Sequence, residues 1–300
     1  MPKVDWNDLM RGAYLAVSTT DEILARDLMR QIIYRRAEYM AAAIQVCGIW
    51  NLDDLAVKTH WPSEIQGEYP LAEGALPDFA AIEWYEFLLE LEKWAGRIMI
   101  TDEAKVRELQ TQQVSISLRR LAEDLAIKKE TNILNTIVAG AGATAVVVAG
   151  TYEWDAANAD PVGDIMDAWQ NVLTETTGIT PADMGNVAVL MPAAVYGEVM
   201  KLEQINNIDT TVAKWLGDSY GFQIIPTKLL TDDAYLLIKG ADTVVHGVYT
   251  GGMIPMAESK RTPGVGDEYH VRQYFASTIV PLNEGDTTTT KICKIENVVA

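Results

Sequence analysis

Little in this sequence invites covalent or metal chemistry. Its 300 residues include only two cysteines, Cys47 and Cys293, far apart in the chain. A disulfide framework needs more, and a lone cysteine is usually a small buried hydrophobe. The three histidines, His60, His246 and His270, have no second His, Cys or Glu at metal-site spacing such as HExxH or CxxC. No apolar run approaches the roughly 20 residues that a membrane span requires. The start, MPKVDWNDLMRGAYLAV, has no basic region followed by a long apolar core, so no secretory signal is expected and the chain reads as soluble and intracellular. Basic residues are scarce: 24 Lys and Arg face 42 Asp and Glu, for a formal net charge of −18. Sequence-independent nucleic-acid binding depends on Lys and Arg neutralising phosphates, which excludes a DNA-binding module.

The remaining catalytic suspects fall on inspection. Gly140-Ala-Gly-Ala-Thr144 lacks the GK[ST] ending of a phosphate loop and the GxGxxG spacing, and it follows a helical pattern instead of a strand. It reads better as a helix stop. Neither cysteine has a histidine nearby in sequence, and the acids Glu83, Glu86, Glu90 and Glu92 read as a solvated face. No catalytic, metal or cofactor constellation emerges.

What is present is a chain with enough apolar content to fold. Hydrophobic residues make up 49% and charged residues 22%, compatible with one elaborated domain or two. Residues 21–46 read as a helix, with Leu24, Leu28, Ile32 and Ile33 at helical spacing and Gly48 as its stop; residues 51–62 read as irregular. A turn-rich tip, Glu73-Gly-Ala-Leu-Pro-Asp78, precedes a stretch in which Phe87, Leu89 and Leu91 alternate with Glu86, Leu88, Glu90 and Glu92. That is strand periodicity, and it is preferred to a helix, with Ile98-Met-Ile100 closing the strand. From Thr101 to Ala139 no Gly or Pro interrupts a helical pattern with Val114, Leu118, Leu121 and Leu125 as its stripe. Such a helix would be about 55 Å long, a spine longer than one compact domain needs. A helix over 162–177, a buried strand over 186–191 and a helix from Pro192 follow. Three strands (222–225, 234–238, 243–248) and long β segments (269–282, 288–298) complete the chain.

Five of the eight tryptophans (Trp6, Trp50, Trp61, Trp84, Trp94) fall in the first hundred residues, the part least able to close a core. Tryptophan is favoured where large contact area is needed, at interface hot spots above all. Trp61, Trp84, Tyr85, Phe87 and Trp94 are therefore the candidates for contacts between subunits, since apolar bulk on both faces of a hairpin needs an outside cover.

The order of these elements resembles the tailed-phage major capsid protein with the Hong Kong 97 fold. Arg97-Ile-Met-Ile-Thr-Asp-Glu-Ala104 is similar to the passage from extended loop to spine helix. Asp160-Pro-Val-Gly-Asp-Ile-Met-Asp-Ala168 with Thr177-Gly178 is similar to the first helix of the axial domain, and Asn186-Val-Ala-Val-Leu-Met-Pro-Ala-Ala-Val-Tyr196 to the next strand and helix. Gly221-Phe-Gln-Ile-Ile-Pro-Thr227 and Glu258-Ser-Lys-Arg261 fit the end of that domain and the return. The resemblance implies an α+β fold: an N-terminal arm with helix (1–63), an extended two-stranded loop (64–100), a peripheral domain (101–150 with 256–300) and an axial α/β domain (151–255). It implies no enzyme and no cofactor. The implied role is a self-assembling subunit of hexamers and pentamers in an icosahedral shell around double-stranded DNA. An acidic wall suits that role, because it does not hold the polyanion it encloses. Implied partners are a portal, a separate scaffolding protein and a decoration protein, with no membrane, in a virion capsid assembled in the host cytoplasm. Some relatives cross-link a loop lysine to a neighbour's asparagine; here the tip from Glu68 to Ala80 has no lysine and the next one after it is Lys93. Two alternatives stay open: an encapsulin-type compartment of the same fold, and an α/β enzyme whose site is assembled from distant residues.

Overall fold

The computed structural model describes residues 33–34, 36–37, 41–62, 84–103, 113–141, 146–148 and most of 153–299. Within 153–299 it leaves out 155, 157–158, 177–178, 180–182, 202–215, 219–220, 255–256 and 282–286. Helix α1 spans Gln113–Gly140, α2 Pro161–Glu175 and α3 Ala193–Lys201. The strands are β1 Cys47–Leu52, β2 Ala56–Pro62, β3 Trp84–Glu90, β4 Glu92–Thr101, β5 Val146–Val148 and β6 Val187–Pro192. They continue with β7 Gln223–Thr227, β8 Ala234–Ile238, β9 Gly240–Tyr249, β10 Ala257–Thr262, β11 Gly266–Ile279 and β12 Ile292–Glu296. One five-stranded sheet runs β1-β9-β11-β10 with β4 also paired to β11; a second runs β5-β12-β8-β6-β7; β2 and β3 form a separate hairpin.

Helix α1 joins the two sheets. Leu118, Ala122, Leu125, Ala126, Lys129, Ile133 and Ile137 recur at three- and four-residue steps and are all buried. This is the stripe that a 3.6-residue period lays along one face. Its first half packs with Ile98, Val248, Val271 and Phe275 on the first sheet, its second half with Leu190, Tyr235, Leu237 and Ile292 of the second. The described helix is about 42 Å long, consistent with a spine; Gly140 ends it, in a spot where a Cβ would lie 2.5 Å from Ile279 Cγ2. The segment expected to start that helix, residues 104–112, lies outside the described residues.

In the second sheet, β6 and β8 are buried along their whole length, as strands covered on both faces must be. Helix α2 caps one face. Asp160 accepts a hydrogen bond from the Gly163 amide, and Pro161 occupies the first turn, where its missing N–H costs nothing. Trp154 is fully buried there, and its Nε1–H donates to Asp164 Oδ2 at 2.8 Å. Trp154→Phe keeps most of the packing but removes a charge-assisted donor from a buried carboxylate. The variant is expected to lose about 1–3 kcal/mol in a denaturant melt, with the fold retained.

Three expectations need correction. The helix over 21–46 has helical residues at 33–34 and 36–37, but Ala42–Val46 is a 3-10 turn and the chain is a strand from Cys47 on. Gly48 is no helix stop. It sits where β1 presses against β9, and a Cβ there would lie 2.4 Å from Ala241 Cα. Residues 51–62 are not irregular either. Val57, Thr59 and Trp61 alternate with Lys58 and His60, and β2 pairs with β3 from Ala56↔Glu90 to Pro62↔Trp84. Finally, the strand expected to run on to Ile100 breaks at Leu91, whose amide donates to Leu55 O (2.7 Å). Beyond it β4 leaves the hairpin and pairs with β11. The hairpin therefore begins at Ala56; the tip expected within 63–83, residues 21–32 and the turn expected at 283–286 lie outside the described residues.

Candidate functional site

Strand alternation gives the β2–β3 hairpin two unlike faces. Tyr85, Phe87 and Leu89 of β3 lie on the inner face; Trp84, Glu86, Leu88 and Glu90 lie on the outer one. The inner face has its footing in this chain. Phe87 packs on Trp50 of β1 with ring centroids 5.9 Å apart, and Leu89 is buried with Val245, Ala276 and Val280, flanked by Leu52 and Leu91. A Cβ on Gly247 would lie 2.6 Å from Leu89 Cδ2, so glycine is what lets the hairpin base come so close to the sheet.

Among the described residues the outer face has no such footing. Trp84 is 61% exposed and Leu88 47%. Between them Glu86 binds Lys58 Nζ at 2.8 Å, and that hydrogen bond holds its carboxyl below the usual range. Trp84 is thus exposed, while Phe87 is engaged within its own chain and Tyr85 is half-buried on the same inner face. Trp94 is engaged too: it lies in β4, and its Nε1–H donates to Asp124 Oδ2 of α1 at 3.0 Å. Trp61 faces Tyr85 in the ladder. Leu88 was not among the candidates, because an alternating Glu–Leu run does not say which leucine face the fold will cover.

A second apolar surface lies on α1. Ile116, Ile127 and Val138 are 45%, 51% and 45% exposed. They recur every eleven residues, close to three full turns, and so share one side of the helix, on which Leu134, between Ile127 and Val138, is buried. That spacing is legible in the sequence, though nothing in it says that these three stay uncovered.

The titratable groups in the interior are poor candidates for chemistry. Burial pushes the Cys47 thiol up to about 12, leaving it protonated and unreactive at neutral pH. His246 is fully buried on β9, stacked near Phe275 (5.8 Å), with Nδ1 2.9 Å from Ser277 Oγ and no hydrogen-bond partner for Nε2 among the described residues. Burial first, and the Lys129 ammonium second, push its pKa down to about 3. The unfolded chain takes up this proton below about pH 6.5 and the folded chain only near pH 3, so His246 favours folding above pH 6.5 and that contribution fades as the pH falls. Between those limits the slope is at most about 1.4 kcal/mol per pH unit. His246→Asn should flatten the pH dependence of the melting temperature between pH 6.5 and 4 relative to the parent. An unchanged profile would mean that the imidazole titrates normally. Among the described residues no cluster of His, Cys, Asp and Glu could hold a metal ion, and no helix is long and apolar enough to cross a membrane.

Known proteins agree with this emphasis on surfaces. Among solved structures, a virus-like particle from Pyrococcus furiosus superposes with a TM-score of 0.59 at 12% identity, covering 98% of this chain and 100% of that one. The capsid of a native GTA particle gives 0.59 at 12% identity over 87% and 91%. Mycobacterium phage Cain gives 0.57 at 12% identity over 87% and 91%. At such identities these likenesses speak for the fold, which is that of the Hong Kong 97-type capsid proteins. No curated protein matches the chain in sequence. The family of phage capsid proteins matches residues 84–287, well over half of the chain, and its role is structural and not enzymatic. By that match, and with the fold to support it, the chain belongs to the phage capsid protein family.

Proposed function

We propose that this capsid protein assembles as hexamers and pentamers into an icosahedral shell that encloses viral double-stranded DNA, in a virion built in the host cytoplasm. The observation that carries the reading is the outer face of β3, where a tryptophan and a leucine stand exposed on a hairpin whose other face is already packed. Large exposed apolar side chains side by side mark a contact with another molecule, and a shell subunit meets copies of itself. The formal charge of −18 suits a wall that does not bind its contents. Within this reading, residues 1–63 serve as an arm up to β2, 101–150 with 256–300 as a peripheral domain and 151–255 as an axial domain, with β9 going by its pairing to the peripheral sheet of β11 and β12 to the axial sheet of β6 and β8. The extended loop assigned to 64–100 takes in β2 as well. A portal, a separate scaffolding protein and a decoration protein complete the particle.

Electron microscopy of the expressed protein tests this directly: closed particles or capsomers support it, and a strictly monomeric or small-oligomeric protein at high concentration sinks it. The contents of the native particle then separate two shells. DNA supports the viral capsid, whereas a packaged folded enzyme would assign the chain to the encapsulin-type compartments. With no lysine from Glu68 to Ala80, the shell should hold without covalent cross-links. Mature particles boiled in detergent and reductant should give one band near 33.1 kDa; a ladder would refute the inference from the missing lysine.

A further inference from the structure

We infer that the interface between α1 and the first sheet encloses an ordered water, bound at His246 Nε2 and shared with a side-chain amide oxygen of Asn132 or Gln273. Most of that interface is apolar, with Val271 and Phe275 of β11 and Val248 of β9 packed with Leu125 and Ala126 of α1. Strand alternation puts Gln273 and Ser277 on the same face of β11 as Phe275, and His246, paired with Ser277, shares it. From α1, Lys129 Nζ lies 5.9 Å from the Phe275 ring centroid, and Thr136 Oγ1 donates to Ser277 O at 3.2 Å. Asn132 falls between those two contacts along the helix. Polar groups of helix and sheet therefore meet around Phe275 and Ser277.

The seam is closed to bulk solvent: His246 and Lys129 are fully buried and Gln273 is 2% exposed. His246 Nε2, Gln273 Oε1 and Asn132 Oδ1 are buried without hydrogen-bond partners among the described residues. Buried polar atoms are nearly always satisfied, and internal water is the usual partner where the protein offers none. The atoms themselves select the ligand. The two amide oxygens only accept, so they repel an anion, and the Lys129 ammonium repels a cation. Water is neutral and can donate twice. Ser277 Oγ lies 2.9 Å from Nδ1, and depending on which of the two gives the proton, Nε2 is left as a donor or as an acceptor. Water serves both cases. It relays a hydrogen bond from Nε2–H to an amide oxygen, or it donates to nitrogen and oxygen together.

Two measurements test the site. An experimental map of the parent protein, sharp enough to show ordered water, should carry a peak about 2.7–3.2 Å from His246 Nε2 and from Asn132 Oδ1 or Gln273 Oε1. In solution, oxygen-17 magnetic relaxation dispersion counts long-lived internal water. His246→Phe keeps an aromatic ring and removes Nε2, so the dispersion amplitude should fall by about one water per subunit. His270→Phe, at a position 40% exposed, should leave it unchanged. A map that shows other internal waters but none at Nε2 overturns the proposal, and so does a protein group bonded to Nε2 in its place. A folded His246→Phe protein with the parent's amplitude overturns it as well. Should that variant fail to fold, the map of the parent decides alone.

Discussion

Trp84→Asp combined with Leu88→Asp is expected to leave a soluble, cooperatively melting subunit that forms no particles. Both side chains are largely exposed in the single chain, and surface substitutions of that kind usually change stability by no more than about 0.5 kcal/mol. At a contact between copies the balance is different. Removing a large anchor there costs about 2–4 kcal/mol, and burying a new charge in an apolar contact adds to it. The loss recurs at every copy, so closure fails although each subunit stays folded. The paired readouts are a thermal melt and electron microscopy. Phe87→Ala is the contrasting control: its ring packs on Trp50, so it should lower the subunit's own stability by about 2 kcal/mol. Particles of normal yield from the double aspartate variant would show that the outer face is not where copies meet.

The second large effect lies inside the subunit. Gly266 opens β11 at φ +152°, and a Cβ there would sit 2.2 Å from Ile100 O and 2.7 Å from Thr101 Cα. Both are backbone atoms of β4, locked in the ladder that pairs Thr101 with Gly266 and Ile100 with Asp267, so neither can move aside. Gly266→Ala combines an unfavourable dihedral with a clash between main chains. It should cost about 4 kcal/mol or more, seen as insoluble expression or a melting temperature lower by about 10 °C. Gly264, two residues earlier at φ +73°, has open space around it. Gly264→Ala should cost only about 1 kcal/mol, the ordinary penalty for a left-handed conformation. Equal effects of the two substitutions would argue that the close approach of β4 to β11 is not as described.

Much of this architecture was legible because it rests on local pattern. The α1 stripe, the Asp160-Pro161 start of α2, the apolar run of β6 and the strands around 234–238 and 243–248 each carry their signal within a few residues. The errors share one cause. Gly48 looks like a helix stop when only its own neighbourhood is read; its reason to be glycine is Ala241, nearly two hundred residues away. The β2 alternation is faint beside the bend at 53–55, since a short edge strand is defined by its partner, and that partner is β3.

The class of protein is written in composition and in the order of elements along the chain. An acidic, cysteine-poor chain with no constellation for catalysis, a long helix and a β return in a particular order pointed to a shell subunit, because composition excludes chemistries and element order survives when identity has fallen to 12%. Which aromatics face outward is set by packing between distant segments. Trp84, Phe87 and Trp94 are equivalent as residues, yet one is exposed, one rests on Trp50 and one is hydrogen-bonded to Asp124. The physical reason is that strand periodicity divides residues between two faces without naming the covered one. That choice is made by whatever the other face meets: here a sheet assembled from β1, β9 and β11, whose strands come from widely separated parts of the chain.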